Sequence, residues 1–445
     1  MEIKKWLMTT AAAALALGTL SACSPGSLGS NASPGATGGG VENVSITYMV
    51  DNGDNSVKIA NAQAAAFMKA NPTIKVTVDT RPQGTDGDNF VKTRLSTGEM
   101  ADLFQYNSGS LLQALDPAKN LVPVTSEPWV ANLDDNFKRA ASSGTEIYGA
   151  PFGTATGGGF LYNRKVFADL GLTVPTTWAE FMANNAKIKA AGIDPVIQSY
   201  GDTWTSQLLV LADFNNINKA DPQWAERYTK NDPTAKFAVD PALKGFQRLQ
   251  DVHDAGYLNK NFASMKYDQA QTYLASGKGA QYPMITFAIP NMVANDAANK
   301  DNIGFFPQPG DDAATQGVTL WIPSAIYIPT TTTGAKLDAA KKFEAWAAST
   351  EACDVYASTV TVDGAFVVKG CELPDSVAQA VKDVQSYVDA GKSSPALEYL
   401  SPVKGPNMEK ITVEVGSGIT PALDGAKRYD EDVKKQAQQL GLEGW

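Results

Sequence analysis

Along the first part of the chain the apolar positions change period twice. Val44, Ile46, Tyr48 and Val50 alternate with polar or small residues, which predicts a half-buried strand, and Asp51 to Asn55 form the polar loop at its carboxyl end. From Val57 to Ala70 the spacing becomes helical: Val57, Ala60, Ala64, Phe67 and Met68 share one face, and Asn71-Pro72 ends the run. Ile74, Val76 and Val78 then return to the strand period. This is a βαβ unit, which predicts two parallel strands joined by a right-handed crossover. A helix over 88–96 and a strand over 101–106 come next, ending in Asn107-Ser108-Gly109. In open parallel sheets ligands bind beyond the carboxyl ends of strands, so two loops are expected at one place: Asp51, Asn52 and Asp54 from one, Tyr106, Asn107 and Ser108 from the other. Asp51 to Asn55 is equally the composition of a plain turn.

A second pattern lies between Tyr148 and Phe181. Gly149, Pro151 and Gly153 precede Gly157 to Gly159 and the apolar run Phe160-Leu161-Tyr162, so a glycine-lined loop is expected to feed a buried strand. A phosphate loop would open a helix and carry a Lys-Ser/Thr pair; this loop opens a strand and lacks the pair, which argues against nucleotide binding. The plainer reading is a backbone that must come close to something. Thr177 and Glu180 have capping-box spacing, Pro175 lies just before them and Gly192 supplies the stop of a helix over 177–191. A strand over 195–198, the loop Ser199 to Trp204 and an apolar helix over 208–214 follow. Trp204 has polar neighbours at a loop-to-helix junction, so exposure toward a cleft is expected. Over 336–348, Leu337, Ala340, Phe343, Trp346 and Ala347 fall at helical spacing, which makes Trp346 core.

Gly149-Ala150-Pro151, Leu161-Tyr162-Asn163 and Pro175-Thr176-Thr177-Trp178 with Glu180-Phe181 resemble the extracellular solute-binding lipoproteins of bacterial ABC importers, in the subset that includes the maltose and multiple-sugar binding proteins. The resemblance covers nearly all of the mature chain. It implies an α/β, periplasmic-binding-protein-like fold of two lobes, with a ligand cleft between them and several hinge crossovers. By the same resemblance a first crossover falls at 132–140, residues 41–135 and 309–349 form the N-terminal lobe, and residues 136–308 and 350–445, disulfide included, form the C-terminal lobe. The glycine loop, with Gly158, would lie against the cleft. Gly277 to Ala288 resembles a family segment whose terminal aromatic stacks on the ligand; Phe287 fills that slot here in place of tryptophan. Residues 303–310 resemble the return strand, ending in a Pro/Gly crossover. Trp321 to Pro329 resembles the re-entry into the first lobe, with Trp321 where family members often carry glycine. The turn Asp363-Gly364 would border the cleft.

At the start of the chain, Lys4-Lys5, an apolar stretch of about 15 residues and Leu20-Ser21-Ala22-Cys23 read as a signal peptide over 1–22, too short for the roughly 20 residues that span a bilayer. Leu20 to Cys23 resembles the lipobox of bacterial lipoproteins, which makes Cys23 the lipidated first mature residue; the alternative is a plain signal peptide with an incidental cysteine. Residues 23–40 then form the lipidated cysteine and an uncharged tether reaching roughly 23 Å. The roughly 400 residues beyond it exceed what one core usually serves, so two lobes are expected on size as well. A formal net charge of −10 suits neither nucleic acid nor anionic lipid. Cys353 and Cys371 remain as an even pair in an exported chain and read as one disulfide. The single histidine, His253, cannot complete a usual zinc site with them, and no HExxH or EF-hand spacing occurs, so neither a metal nor a cofactor is expected.

A pyranose has flat C–H faces, which suit aromatic rings, and a rim of hydroxyls, which suits carboxylates and amides. The expected ligand set is Asp51, Asn52, Asp54, Tyr106, Asn107, Ser108, Gly158, Trp204, Phe287, Trp321 and Asp363. Together these features predict a monomeric, lipid-anchored receptor on the extracytoplasmic face of the cell membrane. It would capture an oligosaccharide and pass it uncleaved to ABC permease subunits with their ATPase. Two alternatives stay open. A lipid-anchored glycoside hydrolase would need a carboxyl pair at a set separation, and no segment identifies one; the same fold could also take a peptide or another solute.

Overall fold

The computed structural model describes residues 43–445, and its strands fall into two main sheets. Cys23, the leader and the tether lie outside the described residues. In chain order the strands are β1 (Val44–Asp51), β2 (Ile74–Arg81), β3 (Leu103–Tyr106), β4 (Ser142–Ser143), β5 (Glu146–Ile147), β6 (Gly149–Phe152), β7 (Thr156–Asn163), β8 (Asp194–Val196), β9 (Gly279–Ile285), β10 (Ile303–Pro307), β11 (Val318–Trp321), β12 (Ser324–Tyr327) and β13 (Ser393–Pro395). The first sheet runs β2-β1-β3-β12-β6, and the second β13-β11-β7-β9-β8 with β10 also on β7; β4 and β5 form a separate hairpin. Each main sheet with its helices makes one lobe of a two-lobed α/β protein.

Local sequence explains the elements. β1 and β2 pair in parallel from Val44–Ile74 to Asp51–Arg81, as the βαβ pattern predicts. The helix between them, Asp54–Ala70, buries Ile59, Ala60, Ala64 and Phe67. The Phe67 ring meets Phe343 at 5.0 Å and Trp346 at 6.1 Å, both on helix Gly334–Ala347, and burying such a ring is worth about 1.5–3 kcal/mol. In the second lobe, helix Trp178–Ala190 starts with the capping box its sequence predicts. The Glu180 amide donates to Thr177 Oγ1 at 3.2 Å, and the Glu180 carboxylate accepts from the Thr177 amide at 3.3 Å.

The connections decide where the loops go. β6 passes into β7 through residues 153–155, and β11 into β12 through Ile322-Pro323. β12 starts at that second crossover and runs antiparallel to β3, with Ala325 opposite Tyr106, so β3 ends beside it; β1 is parallel to β3 and ends on the same side. In the other sheet, β7 starts at the first crossover with Gly158 opposite Ile285, so β9 ends there, and β8, parallel to β9, ends there too. The carboxyl ends of β1, β3, β8 and β9 therefore all turn toward the crossovers.

A third piece of chain is laced onto the first crossover. Ala155 and Ala365 exchange backbone hydrogen bonds of 2.8 and 2.7 Å, and the Thr154 hydroxyl donates to Asp363 at 2.8 Å. A Cβ on Gly364 would come within 2.1 Å of the Ala155 carbonyl oxygen, so the approach requires glycine. Cys353 and Cys371 are disulfide-bonded, with Cα atoms 6.0 Å apart, and the loop they close contains this contact.

Several expected boundaries move. The first crossover lies at 153–155 and not at 132–140, because residues 149–152 pair with β12 in the first sheet. Residues 309–321 do not return to the first lobe: β11 pairs with β7 beside β10, and the chain crosses only after Trp321. Residues 350–371, disulfide included, belong with the first lobe. Helix Thr350–Thr359 packs on helix Asp54–Ala70, the Asp134 amide donates to the Val367 carbonyl at 2.8 Å, and the Lys369 amide to Asn132 at 2.7 Å. The glycines at 157–159 lie inside β7, not in a loop before it. The helix expected over 208–214 is two short ones, Leu208–Leu211 and Phe214–Ala220.

Candidate functional site

The second lobe brings three aromatic rings together at its crossover end. Trp204 lies in the 3-10 turn Thr203–Gln207 after β8, and Phe287 in the turn Thr286–Ala288 after β9. Tyr267 is the first residue of helix Tyr267–Ala275. Trp204 stands 5.1 Å from Tyr267 and 6.0 Å from Phe287, and Tyr267 is 6.1 Å from Phe287, centroid to centroid. The three rings are tilted to one another by 35–57°, so together they make a faceted aromatic shelf and not a flat one. Phe287 is 38% exposed, which makes it one of few large apolar side chains in the described residues that face solvent; Trp204 and Tyr267 are half-buried. Burial pushes the Tyr267 phenol up to about 12, so it stays protonated at neutral pH.

The first lobe presents polar tips. Asn52 is exposed in the loop after β1, Asp54 is exposed at the first position of helix Asp54–Ala70, and Asn107 is exposed after β3. Asp51 is largely committed to the protein. Its Oδ1 accepts from the Gly53 amide and from Gln83 Nε2, both at 2.9 Å, and its Oδ2 accepts from Ser56 Oγ at 2.9 Å. It thus ties down the start of helix Asp54–Ala70 and leaves limited capacity for another donor. At the crossover itself, burial holds the Asp363 carboxyl above its usual pKa, and the Thr154 hydroxyl bond only partly opposes this.

Three expected ligand residues are placed elsewhere. Tyr106 is fully buried, its hydroxyl donates to Asp88 at 2.9 Å, and the Arg81 guanidinium covers its ring at 5.3 Å. Ser108 turns inward and donates to the Pro323 carbonyl at 2.9 Å. Gly158 is covered by Trp321: a Cβ there would lie 2.2 Å from the indole, so the glycine makes room for tryptophan and not for a ligand. Trp321, at the end of β11 in the second sheet, is half-buried. It lies on β7 and lines a cavity of about 20 Å³ with Phe214, Phe237 and Tyr429. Sequence reasoning missed Tyr267. It sits three and four positions before Ala270 and Gln271, both buried, so at helical spacing it reads as core. Among the described residues no group of three or more His, Cys, Asp or Glu side chains could hold a metal, and no helix is long and apolar enough to cross a membrane.

Two α/β lobes joined by short crossovers, with the strand ends of both converging on them, define the architecture of a two-lobed solute-binding protein. The profile of the family described as bacterial extracellular solute-binding protein matches residues 52–352, and the chain belongs to that family. The multiple sugar-binding protein of Streptococcus mutans is 28% identical over 261 residues, 57% of this chain and 59% of that protein, so the match spans well under two thirds of the relative's length. Among solved structures, apo RafE from Streptococcus pneumoniae superposes with a TM-score of 0.74 at 20% identity, covering 90% of this chain and 100% of that one. RafE in complex with raffinose gives 0.67 at 21%, covering 88% and 99%. A chitin oligosaccharide binding protein gives 0.66 at 21%, covering 89% and 99%.

Proposed function

We propose that this chain is the carbohydrate-binding receptor of a bacterial ABC importer, held outside the cytoplasmic membrane by lipid on Cys23 and acting as a monomer. The observation that carries the reading is the shelf of Trp204, Tyr267 and Phe287 at the same end of the fold as the polar tips Asn52, Asp54 and Asn107. Ring faces bury the C–H patches of a pyranose, and amides and carboxylates take its hydroxyls. The names of the similar proteins, which include raffinose, chitin oligosaccharide and multiple-sugar binders, support the same ligand class. Sugar held on the shelf would favour the closed form through contacts the open form lacks, and the permease and its ATPase would read that form.

Titration calorimetry with raffinose, stachyose, a chitin oligosaccharide and a xylan-derived oligosaccharide tests this. Saturable binding of at least one is expected, with the sugar recovered intact by mass spectrometry after hours of incubation. Indifference to the whole panel sinks the reading, and multiple-turnover shortening of the sugar would replace it with a hydrolase.

A further inference from the structure

Two of the three shelf rings come from segments far apart in sequence, and the Asp202 carboxylate lies at the centre of the bonds that join them. Asp202 lies two residues before Trp204. Its Oδ2 accepts the backbone N–H of Tyr267 at 2.8 Å, and its Oδ1 accepts from Lys266 Nζ at 3.0 Å. Its carbonyl accepts the Thr205 amide at 3.0 Å, which closes the turn that carries Trp204. Lys266 also donates to the Gly201 carbonyl, and the Gly201 amide donates to the Met265 carbonyl at 3.0 Å, so the two segments are sewn together on both sides of the carboxylate. The amide it takes is the first of helix Tyr267–Ala275, a donor that the helix itself leaves unpaired. An anion suits that position, and the Tyr267 N–H bond, followed by Lys266, holds the Asp202 carboxyl below the usual carboxylate range.

Resting on the carbohydrate reading above, we propose that Asp202 is a positioning residue for ligand binding: it touches no sugar but fixes Trp204 and Tyr267 at the mutual angle that makes one shelf. Without it, each ring keeps its own backbone and loses its register with the other. The aromatic area survives, but it no longer presents one surface to a flat sugar face, and the cost of ordering the rings falls on binding.

The test compares Asp202→Ala and Asp202→Asn with Trp204→Ala and the Asp202→Ala/Trp204→Ala pair, using the tightest binder of the four-sugar panel. Asp202→Ala is expected to weaken binding about tenfold. Asp202→Asn, which keeps a carbonyl acceptor for the Tyr267 amide, should recover most of that loss. In the pair, the additional loss from Asp202→Ala should shrink to threefold or less, because its effect passes through the ring already removed. A readout without ligand accompanies these: the near-ultraviolet circular dichroism change produced by Trp204→Ala should be largely reproduced by Asp202→Ala, with thermal melting showing a folded protein. Wild-type affinity and spectrum in Asp202→Ala overturn the proposal, and so does a full tenfold loss on the Trp204→Ala background. If Asp202→Ala does not fold, Asp202→Asn decides, since a tenfold loss in that folded variant, despite its retained acceptor, also overturns it. If the wild type binds no sugar of the panel, the carbohydrate reading has failed, while a matching spectral change would still establish the positioning role.

Discussion

On the proposed reading, the two lobes would meet a sugar with different materials. The second lobe offers rings whose faces are held by neighbouring rings, while the first offers amide and carboxylate tips, one of which, Asp51, is already engaged by Gly53, Gln83 and Ser56. A surface of fixed rings is preorganised, so its contacts carry little ordering cost; exposed side chains such as Asn52 and Asp54 must be immobilised on binding. The difference teaches where affinity and where selectivity should reside. On the proposed reading, affinity would come mainly from the shelf, and the choice among hydroxyl patterns from the tips.

The largest expected effect concerns the first lobe's disulfide, whose loop holds the first crossover. Cys353→Ser with Cys371→Ser should lower unfolding stability by about 3 kcal/mol, the worth of a loop of this size, as read by denaturant unfolding. Next comes the shelf: covering roughly 100 Å² of ring face at about 25 cal/mol per Å² gives ~2.5 kcal/mol, so Trp204→Ala should weaken sugar binding by somewhat under 100-fold in calorimetry. Unchanged affinity would remove the second lobe's advantage altogether.

The interior of the first lobe supplies a pH contrast. Glu344, on helix Gly334–Ala347, is fully buried, and neither carboxyl oxygen has a hydrogen-bond partner among the described residues. Burial first, then Glu127, raises its pKa well above the ordinary value, against the pull of Lys341. The folded protein therefore keeps this proton at pH values where the unfolded chain, near an ordinary pKa of about 4.3, has lost it. Stability from this group falls as pH rises between those two pKa values, by about 1.4 kcal/mol per unit. Glu344→Gln should lack that slope. Urea melts should find it more stable than wild type at pH 8 and nearly equal at pH 4, with binding on the shelf unaltered.

Two smaller effects separate the rim from its supports. Asp51→Ala should cost about 1 kcal/mol of stability, like a lost helix cap, and change sugar affinity less than threefold. Tyr106→Phe removes only the bond to Asp88, so a stability loss of about 0.5–1.5 kcal/mol and an unchanged dissociation constant are expected. A tenfold affinity loss in either variant would move weight from the second lobe to the first.

Much of the fold was legible where it is local. The period change across 44–78 gave the βαβ unit, Thr177 and Glu180 gave a capping box, and helical spacing placed Trp346 in the core. The polar neighbours of Trp204 pointed to an exposed ring, and it stands half-buried with Tyr267 and Phe287. Tyr106 was not legible, because all four residues of β3 are buried: a central strand covered on both faces loses the alternation that tells inside from outside. Gly158 failed for the same reason, since its empty side is filled by Trp321 from a strand more than 150 positions away. The lobe boundaries depend on such distant pairings, as β12 with β3 and β6, and no composition break marks them.

The sulfur bridge has a mechanical consequence. Both of its ends are seated in the first lobe, yet the chain it encircles grips Thr154 and Ala155 on the way to the second. The loop it closes is pinned at its middle, because sliding of residues 154–155 along it would break the paired amides and drive Gly364 against the Ala155 carbonyl. In the closure proposed above, the halves are expected to turn about this contact and not slide past it, which would return the shelf and the polar tips to the same alignment each time.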